Sequence, residues 1–255
     1  MHPFWQSHPW GDFRQYRIAE HVHPNGPFVV AQQFSDVTGD NVPDGIYLIA
    51  TRLRDSPYYT NITLVVQNGR TMELSMYSLQ DVAGYNPSLW TGDLTGDGVN
   101  DIVVTVQSGG SGAIVFAYVF SFISGSLGKI FDSEQFNEER HYEVKYANNY
   151  EVNVTSRDPN VRYVLNIRYK GKEYLNEIYD SNGRLKEPIE GWVDPISGIY
   201  PINLTGDGKY SLLTYARISG RYHADGLGFV ENLLSWNGRR FEIIRQEVAI
   251  EGQSF

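Results

Sequence analysis

The sequence predicts an all-β protein, a small β-propeller of four or five four-stranded blades. Aromatic residues make up 14% of the 255 residues, and tyrosine, present 18 times, favours strands. A nine-residue aspartate motif begins at positions 36, 93 and 203, so its spacings are 57 residues and twice 55 residues. Apolar runs flank each copy, and no stretch has a sustained helical period. A unit of this length with four strands is typical of a propeller blade.

The repeat period divides the chain into units within one domain, 1–255. We expect the units to cover approximately 28–80, 81–140, 141–190 and 191–250. The period also places a unit near residue 148, where the turn-like Asn148-Asn149 stands without an aspartate motif. We interpret this unit as one that lost its loop and kept its hairpin. Residues 1–27 are predicted to be an N-terminal arm or a closing strand, with Phe13–Ile18 as the strand.

Each unit has the same order of predicted strands. The strands that enter the loops are Phe28–Phe34, Ser88–Trp90 and Ile199–Ile202, and those that leave them are Gly45–Ala50, Ile102–Val106 and Leu212–Tyr215. Third strands follow at Ile62–Val66, Ala113–Phe122, Val161–Ile167 and Gly228–Leu234. Asn-Gly turns at 68–69 and 237–238 precede fourth strands at Met72–Met76 and Phe241–Ile244. Asn-Gly between alternating apolar runs is a strong hairpin signal.

The aspartate motif offers oxygen atoms at alternate positions of a tight turn, which is the ligand chemistry of calcium. Positions 1, 3, 5 and 9 are Asp36, Thr38, Asp40 and Asp44 in the first copy, and Asp93, Thr95, Asp97 and Asp101 in the second. The third copy has Asn203, Thr205 and Asp207, with Ser211 at position 9, so we expect a weak or vestigial site. An EF-hand is excluded because position 12 is Tyr47, Val104 or Thr214 instead of glutamate. The alternative is that these stretches are turns without a metal.

The pattern Asp-x-Thr-Gly-Asp-Gly-x-x-Asp before an apolar strand resembles the calcium loop of FG-GAP and VCBS-type repeats, which occur in integrin-like β-propellers and bacterial surface proteins. The chain also resembles, less strongly, short VCBS-like proteins of spore-forming Gram-positive bacteria. The resemblance implies about two structural Ca²⁺ ions. It adds the position-7 carbonyls of Val42 and Val99 to the ligands, and that of Lys209 in the third loop. It also favours an extracellular, cell-surface or spore-surface location, although the chain has no signal-peptide pattern.

Composition excludes several function classes. A net charge of −9 argues against nucleic acid, which requires basic patches. The chain has no cysteine, so it has no thiol mechanism and no disulfide framework. Its most apolar run, Ala113–Ile123, is too short to cross a bilayer as a helix, so we expect no membrane insertion.

Three function classes remain open. We favour a non-enzymatic surface or scaffold protein that binds an unknown protein or glycan partner, and self-assembly is compatible with the repeats. The alternative is a carbohydrate-binding lectin, for which the five tryptophans could supply stacking platforms. A propeller hydrolase or lyase is the third class, but no catalytic residues are assigned, since the conspicuous aspartates lie in the loops. The polar segment Arg217–Gly226 could line a ligand site or be a simple connection.

Overall fold

The computed structural model describes residues 26–52 and 55–252, and these residues form an all-β fold, as predicted. The predicted N-terminal arm lies outside the described residues except for its last two positions. The first sheet is an antiparallel meander of β1 (Phe28–Ser35), β2 (Asp44–Arg52), β3 (Tyr59–Gln67) and β4 (Leu74–Ser78). The second is a meander of β5 (Tyr85–Gly92), β6 (Asp101–Gln107), β7 (Val115–Ser121) and β8 (Gly128–Asp132).

The central strands of the second sheet, β6 and β7, are largely buried on both faces, which explains their near-continuous apolar sequences. On β6 and β7 the even-numbered residues, such as Val104 and Phe120, pack against Leu48 and Leu64 of the first sheet. The odd-numbered residues, such as Val119, pack on the opposite side, where strands near the C-terminus supply Ile196 and other residues. Because side chains alternate between the faces of a strand, one sheet contributes to two separate cores.

The remaining strands form one seven-stranded sheet. These strands are β9 (Tyr142–Ala147), β10 (Glu151–Arg157), β11 (Asn160–Asn166), β12 (Glu190–Ile202), β13 (Ser211–Ser219), β14 (Gly226–Trp236) and β15 (Phe241–Ala249). Their order in the sheet is β11-β10-β9-β12-β13-β14-β15. The sheet curls into a nearly closed barrel: Tyr163 on one edge strand donates a hydrogen bond to the carbonyl of Gln246 on the other, at 2.9 Å. A third apolar core fills this barrel.

Strand β12 joins the two halves of the barrel. It pairs with β9 only at Glu190 and Gly191, and from Trp192 onward it pairs with β13. A β-carbon at Gly191 would lie 2.3 Å from the carbonyl oxygen of Ser219, so only glycine fits where the strand changes partner.

The structure does not show the predicted propeller of four separate blades. Residues of the predicted units 141–190 and 191–250 share the seven-stranded sheet, so only two separate four-stranded meanders are present in the described chain. Within the described residues, no buried apolar cluster joins the first sheet to the barrel. A closed ring of blades requires that last interface, because every blade packs on two neighbours.

Two short helices interrupt the strands and were absent from the sequence prediction. Helix α1 (Ser133–Glu138) has Asp132 as its N-cap, whose side chain accepts a hydrogen bond from the Glu134 N–H. Helix α2 (Lys172–Ile178) follows a 3-10 turn at Arg168–Lys170 and packs Ile178 into the barrel core. In the part of the chain that the structure describes, no helix has the length and apolar character needed to cross a membrane.

Candidate functional site

The three aspartate motifs form equivalent loops between strands. Loop 1 (36–44) joins β1 to β2, loop 2 (93–101) joins β5 to β6, and loop 3 (203–211) joins β12 to β13. Positions 4 and 6 of each loop have a left-handed backbone, which glycine adopts without strain. In loop 1 position 6 is Asn41 with φ 63°, a conformation that asparagine adopts more readily than most residues.

The side chain at position 1 caps the backbone of its own loop. Asp36 accepts hydrogen bonds from the N–H groups of Gly39 at 2.7 Å and Asn41 at 2.8 Å. Asp93 accepts the corresponding two from Gly96 and Gly98. In loop 3 the amide oxygen of Asn203 accepts one, from Gly206 at 2.6 Å. An amide has one acceptor oxygen where a carboxylate has two.

The carboxylates at position 9 are buried at the starts of the outgoing strands. Asp44 accepts the N–H groups of Val37 and Thr38 at 2.9 and 3.0 Å, and it is fully buried. Asp101 accepts those of Leu94 and Thr95, both at 2.8 Å. The pKa of Asp101 is raised, mainly because the carboxylate is buried, and the nearby charge of Asp97 adds to the rise. The hydrogen bonds from Leu94 and Thr95 act in the opposite direction but do not outweigh burial. These carboxylates satisfy backbone donors that the turn cannot pair.

The aspartates at position 5 make the same short turn in all three loops. Asp40, Asp97 and Asp207 accept the N–H two residues ahead, at 2.8, 2.9 and 3.0 Å. Loop 3 therefore keeps its turn geometry although it has lost two carboxylates.

Side chains from the β3–β4 hairpin donate hydrogen bonds to loop 1. Asn68 donates from its amide to Thr38 Oγ1 at 3.0 Å and to Asp40 at 3.2 Å, and the Arg70 guanidinium donates to the carbonyl of Asp40 at 2.6 Å. Burial acts to raise the pKa of Asp40, but hydrogen bonds from Val42 and Asn68 and the Arg70 charge lower it overall. A protein cation thus already lies beside the position-5 carboxylate.

The three loops stack on one another in chain order. The position-8 N–H of loop 2, at Asn100, donates to the position-1 carbonyl of loop 1, at Asp36. The position-8 N–H of loop 3, at Tyr210, makes the same bond to Asp93 at 2.7 Å. The position-7 side chain of each later loop covers the position-4 glycine of the earlier one, Val99 over Gly39 and Lys209 over Gly96. In loop 1 position 8 is Pro43, which has no N–H, so the stack cannot continue in that direction.

The carboxylates predicted to be calcium ligands also accept hydrogen bonds from the protein itself. In loop 1 all three carboxylates already accept protein N–H groups, and Asn68 and Arg70 approach Asp40. In loop 2 the buried Oγ1 of Thr95 has no hydrogen-bond partner, but Asp93 and Asp101 are engaged by the backbone. Across residues 26–52 and 55–252, no group of three or more His, Cys, Asp or Glu side chains could hold a metal ion.

A buried ionic network lies against the barrel core, and the sequence analysis had singled out only the loop that supplies Asp225. Asp225 accepts hydrogen bonds from Lys170 Nζ at 2.8 Å, Tyr174 at 2.7 Å and Tyr146 at 3.1 Å. Burial would raise the pKa of Asp225, but the bonds from Lys170 and Tyr174 lower it overall. Burial raises the pKa of both phenols, so they remain neutral donors. The segment Arg217–Gly226 that supplies Asp225 therefore ties the 3-10 turn and α2 to the barrel.

A second carboxylate, Asp194, lies next to a serine and a histidine without forming a catalytic triad. Ser219 donates to Asp194 at 2.7 Å, and His223 Nδ1 lies 3.6 Å from the other oxygen of the same carboxylate. In a triad the histidine stands between the serine and the aspartate. Here the aspartate stands between them, and Ser219 is fully buried.

Comparison with known proteins identifies the family. A family model described as the YybI C-terminal domain matches residues 140–249, which coincide with the seven-stranded sheet. A Bacillus subtilis (strain 168) protein with the name "Uncharacterized protein YybI" is 48% identical over 224 residues, covering 88% of this chain and 86% of that protein. The chain belongs to the YybI family. No solved structure was found to match it.

Membership of the YybI family corrects the resemblance that the loops suggested. The chain is not an FG-GAP or VCBS-type repeat protein, and the prediction of a calcium-binding, metal-binding repeat is wrong. In all three loops the side chains of the motif cap the loop backbone. Such capping needs the same residue types as ion binding, so a nine-residue turn motif of this kind can arise in unrelated sheets. Neither the family nor the geometry tests the individual predicted ligands, which stay a prediction from the sequence.

Proposed function

We propose that this protein is a non-enzymatic binding module that docks a partner protein on the outer face of its first sheet. We define the outer face as Phe34, Tyr47, Leu74 and Met76, which lie with the buried Val65 on the side of the sheet away from its core. Phe34 and Met76 are each 66% exposed and Leu74 is 57% exposed. Contiguous exposed apolar side chains on a folded domain are characteristic of interaction sites.

The strand register makes these side chains one continuous surface. Met76 lies opposite Val65, Val65 lies opposite Tyr47, and the ring of Tyr47 meets Phe34 edge-on at 6.3 Å. Met72, in the adjoining hairpin two residues before Leu74, is 47% exposed. Two of the three methionines in the chain therefore lie here. Methionine is over-represented at adaptable binding surfaces because its side chain is flexible and polarizable.

Charge at the edge of the outer face indicates the chemistry of the partner. Loop 1 and the neighbouring hairpin contribute the carboxylates of Asp36, Asp40 and Glu73 and the single cation Arg70. An apolar centre with a charged rim is the usual anatomy of a protein interface. We infer a partner that presents an apolar strand flanked by lysine or arginine. A second copy of this chain fits less well, since face-to-face pairing would bring the same carboxylates together.

We also infer that the first two sheets are propeller-type blades. The barrel follows them in the chain but does not complete a closed ring with them. Each of the two sheets is a four-stranded meander, and the hydrogen bond between loops 1 and 2 joins the first sheet to the second. This arrangement supports a docking role, because no other described strand covers the face of the first sheet that a closed ring would bury.

A defined peptide tests the proposal. The probe is a labelled peptide of about ten residues, the upper range of strand length, that alternates leucine and lysine. The matched variants are Phe34→Ser with Met76→Ser on the outer face, and Val164→Ser with Ile244→Ser at exposed apolar positions elsewhere, 56% and 59% exposed. Fluorescence anisotropy measures the affinity, and the ionic strength is varied in each titration.

We expect the outer-face variant to lose at least about tenfold in affinity, because each large apolar side chain buried contributes roughly 1.5–3 kcal/mol. The control variant should bind as the wild type does, and a leucine–glutamate peptide should bind weakly. Equal binding to both variants would overturn the proposal. A wild-type dimer that Met76→Ser dissociates would assign the face to a second copy instead.

A further inference from the structure

We propose that a cleft between the second sheet and strand β12 binds an uncharged saccharide. The cleft has a volume of about 260 Å³ and is lined by Ser88, Trp90 and Thr105 on one side and by Ser197 and Tyr200 on the other. It is separate from the outer face of the first sheet, so this inference goes beyond the proposed protein docking.

Aromatic rings form the apolar part of the cleft. Tyr200 is 49% exposed and stacks on Tyr215, with ring centres 5.3 Å apart and planes 15° from parallel. The exposed part of the ring is therefore accessible to a ligand. Trp90 is fixed edge-on against Tyr210 at 4.8 Å. A pyranose has an apolar C–H face that packs on such rigid rings, which contribute contact area at low conformational cost.

Hydroxyl groups supply the polar part of the cleft. Ser88 Oγ and Thr105 Oγ1 lie 2.6 Å apart, so one donates to the other and the second hydroxyl hydrogen is free for a ligand. Ser197 donates to the carbonyl of Tyr215 at 3.2 Å and keeps its lone pairs as acceptors. Groups that both donate and accept suit sugar hydroxyls, which do the same.

The lining of the cleft carries no formal charge. Among the described residues that line it there is no Asp, Glu, Lys, Arg or His. Desolvation of a charged ligand here would have no compensating partner, which is costly. The same composition offers no carboxylate pair for glycoside hydrolysis, so it favours binding over turnover.

The size of the cleft restricts the ligand further. Sites for drug-sized molecules usually span about 300–1,000 Å³, so this cleft fits one sugar ring. Because Tyr200 is 49% exposed, a sugar ring stacked on it can be the terminal unit of a longer chain.

Isothermal titration calorimetry tests the assignment with glucose, galactose, N-acetylglucosamine and their β-1,4-linked trisaccharides. A galacturonate trisaccharide serves as the charged comparison. We expect at least one neutral sugar to bind with a dissociation constant of about 1 mM or lower, and the uronate to bind more weakly. Tyr200→Ala should lose about tenfold, while Tyr200→Phe should retain most of the affinity because it keeps the ring.

Tyr222→Ala is the matched control, since Tyr222 is 54% exposed and does not line the cleft. Ser88→Ala is the second test and should weaken binding without removing the aromatic platform. Thermal melts establish that each variant is folded. The proposal is overturned if no neutral sugar binds, or if Tyr200→Ala and Tyr222→Ala have the same effect.

Discussion

The backbone N–H of Asn100 donates to the carbonyl oxygen of Asp36 at 3.3 Å. This bond joins two aspartate loops whose first residues are 57 positions apart in the sequence. The equivalent bond from Tyr210 to Asp93 joins the second loop to the third. The loops therefore act as stacked connectors between the first sheet, the second sheet and the barrel. Their aspartates stabilise turns that are placed for this contact, and the predictions below depend on that role.

The close packing between loops 1 and 2 predicts different costs for the same substitution at two equivalent glycines. A β-carbon at Gly39 would lie 3.0 Å from Val99 Cγ2, whereas one at Gly206 would meet no atom within 4 Å. Both glycines have positive φ, so alanine costs about 1–2 kcal/mol at either position. Gly39→Ala should cost about 1–3 kcal/mol more because of overpacking. Urea unfolding measures both; equal losses would contradict the stacking of the loops.

The buried carboxylate of Asp101 predicts a second asymmetry between the loops. Asp101→Ala leaves the Leu94 and Thr95 N–H groups without their acceptor, and an unsatisfied buried group costs about 1–3 kcal/mol. Ser211 holds the same position in loop 3 and has no carboxylate, so Ser211→Ala should change stability by less than about 0.5 kcal/mol. Chemical denaturation of both variants checks the order, and a larger loss in Ser211→Ala would show that the position-9 groups have another role.

The network around Asp225 predicts a pH-dependent stability. Its pKa is lowered in the folded state, so its ionised form stabilises the fold above the unfolded pKa of about 3.9. That contribution is lost as the pH falls through the lower, folded pKa. The difference in unfolding free energy between wild type and Asp225→Asn should therefore shrink as the pH falls below about 4. A difference that stays constant with pH would exclude this linkage.

The ion pair between Lys170 and Asp225 also predicts non-additive mutations. Lys170→Met leaves a buried carboxylate without its counter-charge and should cost about 3–5 kcal/mol. Combining Lys170→Met with Asp225→Asn should recover part of that loss, because the double variant buries no isolated charge. Urea unfolding of the two single variants and the double variant completes the cycle, and strict additivity would be the contrary outcome.

The hydrogen bonds of the aspartate loops predict that removing divalent metals leaves stability unchanged. The position-1, position-5 and position-9 carboxylates of loop 1 are satisfied by protein donors, and Arg70 supplies a cation. The melting temperature should therefore be the same in EDTA and in millimolar calcium. A rise in calcium that Asp97→Ala abolishes, with Asp207→Ala as the control, would restore the metal interpretation that the sequence suggested.

Local features of the fold could be predicted from the sequence, because short-range chemistry determines them. The strands that flank each aspartate loop, the Asn-Gly hairpins and the left-handed Asn41 follow from alternation and turn residues. The arrangement of the strands into sheets could not be predicted in the same way, because it depends on which distant strands pair. The pairing of β9 with the first residues of β12 joins Val144 to Gly191, and no local pattern encodes that contact.

The candidate sites were harder to predict than the strands. The conspicuous aspartates indicated a metal, but their oxygens cap the backbone, and a sequence pattern does not distinguish these two uses. The outer face was missed because Phe34, Leu74 and Met76 alternate with half-buried residues as they would in any strand. Only the packing of the sheets shows that no other described strand covers this face of the first sheet. Lys170 and Asp225 are 55 residues apart, so their pairing also required the fold.

The most direct test of the docking surface is methionine methyl NMR, because only three methionines are present in the chain. The Met72 and Met76 signals are assigned with Met72→Leu and Met76→Leu and followed during titration with the leucine–lysine peptide. The account predicts that the Met76 signal shifts saturably, and that the leucine–glutamate peptide leaves it unchanged. A Met76 signal that does not move while the peptide binds would contradict the assignment of the outer face as the docking surface.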